Sequence, residues 1–430
     1  MEKAFVPAGK DVPTYFLPML NDIDRNVAYE NAITETIKEF EKAEGRKPTV
    51  LDVGSGSGML SLIALQQGAE RVTLLEANAS LAKIAALELE ARFPGGKETK
   101  WEIINKLSLD MPSPAQGGTG FDMVVSELVG SMINSESMGV YLWDLLQRGV
   151  VRDFAKDGQP PRFYAVPQGG AMTMRAYWCP CAAGLVTGIE YAPMKRLFKA
   201  VYGGKQTAQA DWTQDESMRI CIASSRRAPA SGAVKVLVEA YDATKDNVTH
   251  PRHVDLTIAE SHRQPDKLAQ VVLVLEWELQ LSAGVTLRHT LDHVASLEPE
   301  VRLARWVNWG FLFVPLLSCA RPDAHGRCRF SVRWAPGDLH VETQAVPQSS
   351  TEGSSSAPAA PPAAAQACVV KRKERSGDGA SGPASRKPRR AIAPVVVSTS
   401  VDDTVTVSQG RFADIVSNTW TLAQSGFSSV

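Results

Sequence analysis

Two glutamates that follow an apolar run are the residues whose types and spacing most directly suggest chemistry. Glu127 and Glu136 stand nine residues apart in SELVGSMINSES, after FDMVV. Two carboxylates in a desolvated site repel each other, so one of them takes up a proton unless a cation lies between them. A guanidinium is the cation that fits, because its planar N–H donors can bind one carboxylate bidentately and the other at a second edge.

The chain between these acids must reverse if both are to reach one cation. Nine extended residues span roughly 30 Å, and Gly130, Ser131 and Asn134 are residue types that permit a tight reversal. Each acid also has a simpler interpretation. Glu127 could be a strand-end acid facing solvent, and Glu136 an acid at the N-terminus of the helix predicted over MGVYLWDLL.

Three glycines in VLDVGSGSGMLS indicate a nucleotide-binding loop. Gly54, Gly56 and Gly58 fall between a predicted strand and a predicted helix, where the absent Cβ atoms let the backbone approach a ligand. The spacing is GxGxG, since Met59 stands where the dinucleotide fingerprint has its third glycine. Glu76 ends the next predicted strand, where a carboxylate can accept hydrogen bonds from both ribose hydroxyls. The combination predicts S-adenosylmethionine as cofactor, and the alternative is a flexible turn beside a solvated glutamate.

Alternating strands and helices must position these residues. Residues 1–48 contain a helix from Asp22 onward with apolar side chains at helical spacing. Residues 49–165 alternate apolar strands with helices, which predicts a doubly wound, Rossmann-like α/β domain. The same fold places Glu127 at the carboxyl edge of the parallel sheet, where ligands of open α/β folds bind.

The second half of the chain has a different pattern. Residues 166–430 contain long strand-like runs such as QVVLVLEWELQL, so a mainly antiparallel β domain is predicted. Within it, residues 190–215 suggest a helical arm. Residues 345–395 are rich in Ala, Pro, Ser and Gly, which predicts a disordered insertion.

Composition limits the partners and the compartment. Lys and Arg total 46 against 47 for Asp and Glu, so the net charge of −1 provides no general attraction to nucleic acid or to an acidic membrane. No apolar run is long enough to span a bilayer, the six cysteines are expected to be reduced, and no metal site is predicted. A cytoplasmic location is expected. Residues 371–390 hold two basic clusters of the kind that direct nuclear import, or form a solvated linker.

The sequence resembles the protein arginine methyltransferases at three motifs. Their paired-glutamate loop has the form SE, eight residues, then ES, and all four positions match at Ser126, Glu127, Glu136 and Ser137. The stretch MLNDIDRNVAYENAI resembles the helix that covers the cofactor in that family, and EIINKLS resembles a third motif. The residues of these motifs are most similar to those of the type III branch. The resemblance therefore implies that the product is monomethylarginine.

The resemblance implies a class I methyltransferase domain followed by a β-barrel-like domain with a helical dimerisation arm. It also implies roles for individual residues. Glu127 and Glu136 would be catalytic. The cofactor would be bound by Arg25 at its methionine carboxylate, by Gly54 and Gly56 along the methionine, by Glu76 at the ribose, and by Leu107 and Ser108 at the adenine. The substrate would be bound by Phe16, Met19, Asn308 and Trp309.

Two features depart from the pattern of this family. The histidine of its threonine, histidine, tryptophan loop is replaced by Asn308, which puts an acid-base role at that position in doubt. The chain shows one glycine loop and one paired-glutamate loop, whereas the type III branch often has two modules in tandem. The resemblance therefore implies a homodimer, with Arg-rich proteins such as histone tails or RNA-binding proteins as substrates and no requirement for direct nucleic-acid binding.

Two other functions remain open from the sequence. A methyltransferase for a small molecule or RNA would share the glycine loop and Glu76, but it has no need for two acids at the acceptor site, and an anionic phosphate would be repelled there. A catalytically idle subunit that partners an active homologue would keep the fold. The intact glycine loop and paired glutamates argue against such a scaffold.

Overall fold

The structure is a computed structural model. It describes residues 12, 14–114, 120–156, 162–179, 185–186, 189–190, 227–240, 248–249, 253–268, 270–335, 338–344 and 367–369. The predicted arm, from residue 191 onward, and the basic segment at 371–390 lie outside these residues.

Two helices precede the first sheet. Helix α1 is Phe16–Leu20 and α2 is Ile23–Glu44. Helix α2 begins where the Asp22 side chain accepts a hydrogen bond from the backbone N–H of Arg25, and it ends at Gly45, whose φ of +68° is a conformation that favours glycine. The predicted apolar stripe of α2 is confirmed by the burial of Tyr29, Ile33, Ile37 and Phe40.

A parallel five-stranded sheet forms the first domain, in the order β3-β2-β1-β4-β5. Its strands are β1 (Thr49–Val53), β2 (Arg71–Leu75), β3 (Trp101–Ile104), β4 (Met123–Ser126) and β5 (Tyr164–Val166). The helices between them are α3 (Met59–Gln66), α4 (Ala79–Arg92), a 3₁₀ turn (Ser108–Asp110) and α5 (Met138–Gln147). Because the strand order reverses between β1 and β4, a ligand site is expected at the carboxyl ends of these two strands.

The second domain is antiparallel and begins at β6 (Gly169–Trp178). Its larger sheet has the order β11-β10-β6-β13-β14, with β15 paired to β13 and β9 to β6. The smaller sheet has the order β12-β16-β17-β18, and β7 pairs with β8. These strands are β7 (Leu185–Val186), β8 (Ile189–Glu190), β9 (Ala228–Pro229), β10 (Val234–Ala240), β11 (Val248–Thr249), β12 (His253–Thr257), β13 (Val271–Gln280), β14 (Thr286–His289), β15 (Leu312–Pro315), β16 (Arg327–Ala335), β17 (Asp338–Gln344) and β18 (Ala367–Val369).

Short helices connect these strands. They are a 3₁₀ turn (Glu260–His262), α6 (Pro265–Leu268), α7 (Leu291–Ser296), α8 (Pro299–Asn308) and α9 (Leu316–Cys319). In the described part of the chain no helix has the length and apolar character needed to cross a bilayer. The predicted order of an α/β domain followed by a mainly antiparallel β domain is confirmed.

Strand β13 lies at the centre of the second domain. It pairs with β6 over its whole length, from Val271 opposite Trp178 to Gln280 opposite Gly169. The alternating sequence is typical of a strand with one solvent-exposed face, but residues 271–277 are buried on both faces. Glu276 is tolerated there because its carboxylate accepts hydrogen bonds of 2.7 Å from the Tyr177 hydroxyl and the backbone N–H of Leu291.

The structure differs from the sequence expectation within the predicted disordered insertion, residues 345–395. Strand β18 lies inside that range and pairs with His340–Glu342 of β17. The residues around it, QACVV, include valines with high strand propensity, and β17 offers them an edge to pair with.

Candidate active site

A cavity of about 360 Å³ opens at the carboxyl ends of β1 and β4, where the strand order reverses. It is lined by α1, the glycine loop, the ends of β2 and β4, and the end of α8. All twelve residues proposed from the sequence line it: Phe16, Met19, Arg25, Gly54, Gly56, Glu76, Leu107, Ser108, Glu127, Glu136, Asn308 and Trp309. The fold therefore brings together residues that are up to 293 positions apart, from 16 to 309.

The glycine loop is closely packed on its neighbours. Gly54 and Gly56 have φ values of +69° and +55°. A Cβ atom on Gly56 would stand 2.9 Å from the ring of Phe16, and one on Gly54 would stand 2.6 Å from Leu128 Cδ2. Glycine is therefore required at both positions for two reasons, backbone conformation and space. Phe16 of α1 lies directly against the loop that would hold the cofactor.

Glu76 is held rigidly at the edge of the cavity. Its two carboxylate oxygens accept hydrogen bonds of 2.7 Å from the backbone N–H groups of Gly56 and Asn78. The side-chain amide of Asn105 donates to the backbone oxygens of Glu76 and Ala77, at 2.7 and 3.1 Å. Each carboxylate oxygen keeps a lone pair for a further donor, so a ribose diol fits this position.

Arg25 contacts the first catalytic candidate directly. Its Nη1 lies 2.7 Å from Glu127 Oε2, and the two side chains are only 2% and 11% exposed. Asn26 Oδ1 accepts hydrogen bonds from Nε and Nη2 of Arg25 at 3.1 and 3.0 Å. The sequence placed Arg25 beside the cofactor and Glu127 beside the substrate, and it did not predict this contact. The contact shows that the Glu127 carboxylate is positioned to bind a guanidinium.

Burial raises the pKa of Glu127 above its ordinary value, although the charge of Arg25 and the backbone N–H of Val129 pull it down. Burial also raises the pKa of Tyr29 well above its ordinary value, and the charge of Glu127 adds to the effect. The Tyr29 hydroxyl donates to the backbone oxygen of Ser126 at 3.1 Å, beside Glu127. It therefore remains a neutral donor that fixes the end of β4.

The loop between the two glutamates doubles back, as the sequence required. Backbone bonds from Gly130 and Ser135 to the oxygen of Met132, both 3.2 Å, close the turn. The second domain holds it in place, because Trp277 Nε1 donates to the backbone oxygen of Gly130 at 3.1 Å. Ser131 Oγ bonds to the backbone oxygen of Trp309. Glu127 and Glu136 consequently face one cavity.

Several supporting residues were not identified from the sequence. Arg148, directly after α5, donates to the backbone oxygens of Ser108, at 2.9 Å, and Met111, so it anchors the predicted adenine loop. Asp144 binds the same guanidinium. Such residues carry no motif of their own. An arginine at the end of the helix that follows the paired glutamates is the single available signal for Arg148.

Asn308 lines the cavity at the end of α8, and its Nδ2 is buried with no hydrogen-bond partner among the described residues. The two acids at the start of α2, Asp22 and Asp24, are bound by Arg305. Arg305 lies three positions before Asn308 on the same helix.

The donor set suits S-adenosylmethionine. The cavity offers a buried arginine for a carboxylate, a glycine loop that a Cβ would obstruct, a rigid carboxylate for a ribose and the apolar Leu107 for a flat ring. Among the described residues no group of three or more His, Cys, Asp or Glu side chains is arranged to hold a metal ion. Fold and site together define a class I methyltransferase domain joined to an antiparallel β domain.

Comparison with known proteins makes the resemblance more specific. The chain is 36% identical over 127 residues to protein arginine N-methyltransferase 7 of Drosophila willistoni, a stretch that is 29% of this chain and 18% of the fly protein. It is 34% identical over 131 residues to an arginine N(omega)-methyltransferase of Streptomyces achromogenes subsp. streptozoticus, covering 30% of this chain and 34% of that protein. No model of a known protein family matches the chain.

Solved structures share the fold over most of the chain. The Trypanosoma brucei PRMT1 enzyme-prozyme heterotetrameric complex with AdoHcy has a TM-score of 0.52 at 17% identity, covering 83% of this chain and 98% of that chain. An open conformation of Arabidopsis thaliana protein arginine methyltransferase 10 has a TM-score of 0.51 at 14% identity, covering 84% and 99%. The resemblance to the protein arginine methyltransferases, and to the branch that contains member 7, is confirmed.

Proposed function

We propose that this protein transfers a methyl group from S-adenosylmethionine to the guanidinium of arginine in proteins, producing monomethylarginine. The observation that carries the proposal is the placement of Glu127 and Glu136 in the cavity that also contains the glycine loop and Glu76. A guanidinium, that of Arg25, already binds Glu127. The similarity to named arginine methyltransferases supports the same activity.

The cofactor supplies an electrophilic methyl group on a sulfonium, and the residues of the chain bind and orient the partners. Arg25 would bind the methionine carboxylate, Gly54 and Gly56 would lie along the methionine, and Glu76 would bind the ribose. Leu107 and Ser108 would hold the adenine, in a loop anchored by Arg148.

The glutamates act on the acceptor. Two carboxylates on a guanidinium localise its positive charge on the nitrogens they bind and leave the remaining nitrogen richer in electrons. Most of the rate acceleration then comes from orientation of that nitrogen. Because the pKa of a guanidinium lies far above neutral pH, full deprotonation before attack is costly, and the proton leaves with or after methyl transfer, with Glu136 as acceptor.

A second candidate is methylation of free arginine. The Streptomyces relative is named for arginine itself, not for protein arginine. The paired glutamates would bind the guanidinium of either substrate, so the acceptor assay decides between them. An idle scaffold and an RNA methyltransferase have no corresponding use for the paired acids.

The deciding experiment is a transfer assay with the full chain and methyl-labelled S-adenosylmethionine. We expect label in an Arg-rich peptide, monomethylarginine by mass spectrometry, and none in the same peptide with Lys in place of Arg. Free arginine and a structured RNA serve as further acceptors. Labelling of free arginine but not of peptide would replace the proposed substrate, and no labelling of any acceptor would support the scaffold.

The assembly and the compartment are part of the same proposal. Exposed apolar side chains on α1 and α2, at Leu17, Ile23 and Val27, suit a second copy of the chain as partner. The Trypanosoma structure is heterotetrameric, which supports an oligomer. We propose a homodimer in the cytoplasm, with nuclear access through residues 371–390. The compartment is tested by the location of a fluorescent fusion, in the cytoplasm alone or also in the nucleus, with and without those basic clusters.

A further inference from the structure

A buried ion pair joins the N-terminal helices to the β domain. Arg305 of α8 binds both oxygens of Asp22, through Nε and through Nη2 at 2.9 Å. Its Nη2 also lies 2.8 Å from Asp24 Oδ2, and its Nη1 donates to the backbone oxygen of Arg288 at 2.9 Å. The side chains of Arg305 and Asp22 are both 0% exposed. Every nitrogen of this guanidinium is therefore bonded inside the protein.

Asp22 connects this pair to the cavity. Its Oδ1 accepts a hydrogen bond of 3.1 Å from the backbone N–H of Arg25, so it is the cap of α2. Arg25 in turn reaches Glu127 at 2.7 Å. The backbone N–H of Asp22 donates to the oxygen of Met19, at 3.3 Å, which ties α1 to the same point. Arg305 thus acts through Asp22 on Arg25 and on the cavity residues of α1.

Arg305 is also linked to the acceptor side of the cavity. Its guanidinium lies 4.9 Å from the ring centroid of Trp309. The Trp309 ring is 4.7 Å from that of Trp277, which donates to Gly130 in the paired-glutamate loop. One side chain therefore contacts the helix that covers the cofactor and the aromatic pair that supports the glutamates.

The charge of this connection is permanent. Arg305 faces Asp22 and Asp24 from α2, Trp309 from its own helix, and the backbone of Arg288 from β14. Near it, His293 of α7 lies 3.1 Å from Asp24 and Glu127 is paired with Arg25. Arginine keeps its proton at any physiological pH. His293 contacts Asp24, whereas the fully buried Asp22 is bound by Arg305.

We propose that Arg305 is a positioning residue, a permanently charged latch that holds α1 and α2 over the cofactor pocket. The identity of the cofactor rests on the proposed function. The latch itself rests on the contacts of Arg305 with Asp22 and of Asp22 with Arg25. Both can be measured without methyl transfer.

The first test is Arg305→Gln in the full chain, with calorimetric binding of S-adenosylhomocysteine and hydrogen exchange of residues 14–30. We expect affinity to fall by at least about tenfold and exchange in 14–30 to accelerate, because a buried acid is left without its cation. Arg305→Lys should fall in between, since a point charge binds one oxygen well and two poorly. Wild-type affinity and wild-type exchange in a folded Arg305→Gln protein would overturn the proposal.

Arg46→Gln is the matched control. Arg46 also binds both oxygens of a buried aspartate, Asp122, each at 2.6 Å. That pair lies at the opposite edge of the parallel sheet, where β1 and β4 begin. We expect Arg46→Gln to leave cofactor affinity and exchange in 14–30 unchanged. An equal loss of affinity in both variants would mean that Arg305 contributes stability and no positioning.

Arg305→His tests the permanence of the charge. The pKa of a histidine at position 305, facing Asp22 and Asp24, is expected to rise. In this variant the ion pair therefore forms below that pKa and is lost as the pH increases through it. We expect the ratio of dissociation constants at pH 8.5 and pH 6.0 to exceed the wild-type ratio by at least about fivefold. The same ratio in Arg305→Gln is the control for His293, which bonds to the same Asp24 oxygen as Arg305. Equal ratios in a folded variant would contradict the latch.

The double variant Asp22→Asn/Arg305→Gln keeps the test decisive if Arg305→Gln does not fold. It removes both charges together, which is often tolerated, and asparagine preserves the cap of α2. We expect a folded protein whose affinity stays reduced; wild-type affinity would overturn the proposal. If the wild-type protein does not bind S-adenosylhomocysteine, the proposed function fails, and exchange in residues 14–30 alone decides whether the latch exists.

Discussion

Glu127 has the most informative single contact in the site. It lies at the end of β4, where a strand-end acid would ordinarily face solvent, yet its side chain is largely buried against Arg25. The contact compensates the charge of a desolvated carboxylate. Glu136 reaches the same cavity through the reversal of the loop at Gly130.

Glu127→Gln and Glu136→Gln are each expected to lower kcat by about 10²- to 10³-fold, because an amide cannot localise the charge of the acceptor. Affinity for S-adenosylhomocysteine should change by no more than about threefold. The measurements are monomethylarginine formation by mass spectrometry and calorimetry. Glu278→Gln is the control, since Glu278 is an exposed acid paired with Arg288 on the second domain. Turnover equal to that of Glu278→Gln would reject the paired-glutamate mechanism.

The raised pKa of Glu127 predicts how activity depends on pH. The ionised carboxylate is the form that binds a guanidinium, and burial shifts its loss of charge to a higher pH than for an exposed glutamate. We therefore expect kcat/KM to fall on acidification, with a midpoint above 4.5, the ordinary value. In Glu127→Gln the residual activity should not show this fall on acidification. A fall with an unchanged midpoint in that variant would mean that another group causes the pH dependence.

At the scale of elements, the glycine loop and α1 pack directly against each other. Gly56 has no room for a side chain because the Phe16 ring occupies that space. Burial of Asp52 at the end of β1 adds a second constraint, since its Oδ2 accepts a hydrogen bond of 2.6 Å from Ser61 in α3. These contacts set the turn that connects strand and helix.

Gly56→Ala should weaken binding of S-adenosylhomocysteine by at least about tenfold, because the new Cβ displaces Phe16 and the positive φ costs about 1 kcal/mol. Gly45→Ala is the matched control: its φ of +68° is similar, and nothing lies within 4 Å of the added Cβ. It should lower the melting temperature without altering affinity. Similar affinities for the two variants would show that Phe16 does not contact the cofactor loop.

Asp52→Asn is expected to change stability in a pH-dependent way. Burial raises the pKa of Asp52 to about 7 from an ordinary value of 3.8, so the folded state binds its proton more tightly than the unfolded state. The stabilising contribution of that proton is present at low pH and is lost as the pH rises through 7. Relative to wild type, Asp52→Asn should therefore be more stable at pH 8 than at pH 5. Thermal unfolding at both values checks this, and an equal difference at each would contradict it.

At the scale of the whole molecule, the two domains complete one site. The α/β domain supplies the cofactor loop and both glutamates, and the β domain supplies Trp277, Asn308 and Trp309. The loop between the glutamates is held from the second domain by hydrogen bonds to Trp277 and to the backbone of Trp309.

Trp277→Phe should lower kcat by about fivefold, the equivalent of about 1 kcal/mol for one lost hydrogen bond to Gly130, and leave cofactor affinity within twofold. Trp101→Phe is the control, because Trp101 is also buried and its indole nitrogen has no hydrogen-bond partner in the described part of the chain. Steady-state kinetics and calorimetry separate the two effects. A loss of cofactor affinity that matches the loss of kcat would show that Trp277 supports the cofactor loop instead.

Local patterns in the sequence determined the elements and the residue types of the site. The first four strands of the first domain, the apolar stripe of α2, the glycine loop and the paired glutamates are all visible there, because strand and helix periodicity and turn residues depend on neighbours a few positions apart. The resemblance added the remaining residues of the site, which are Phe16, Met19, Arg25, Leu107, Ser108, Asn308 and Trp309. All of them line the cavity.

Only the tertiary structure decided which of these groups touch. The pairing of Arg25 with Glu127 and of Arg305 with Asp22 joins residues 102 and 283 positions apart, and no periodicity carries that information. The burial of both faces of β13 and the pairing of β18 with β17 likewise depend on which strands lie alongside. Long-range ion pairs form because burial removes water from charges that the fold has already brought together, so their partners are set by packing and not by local sequence.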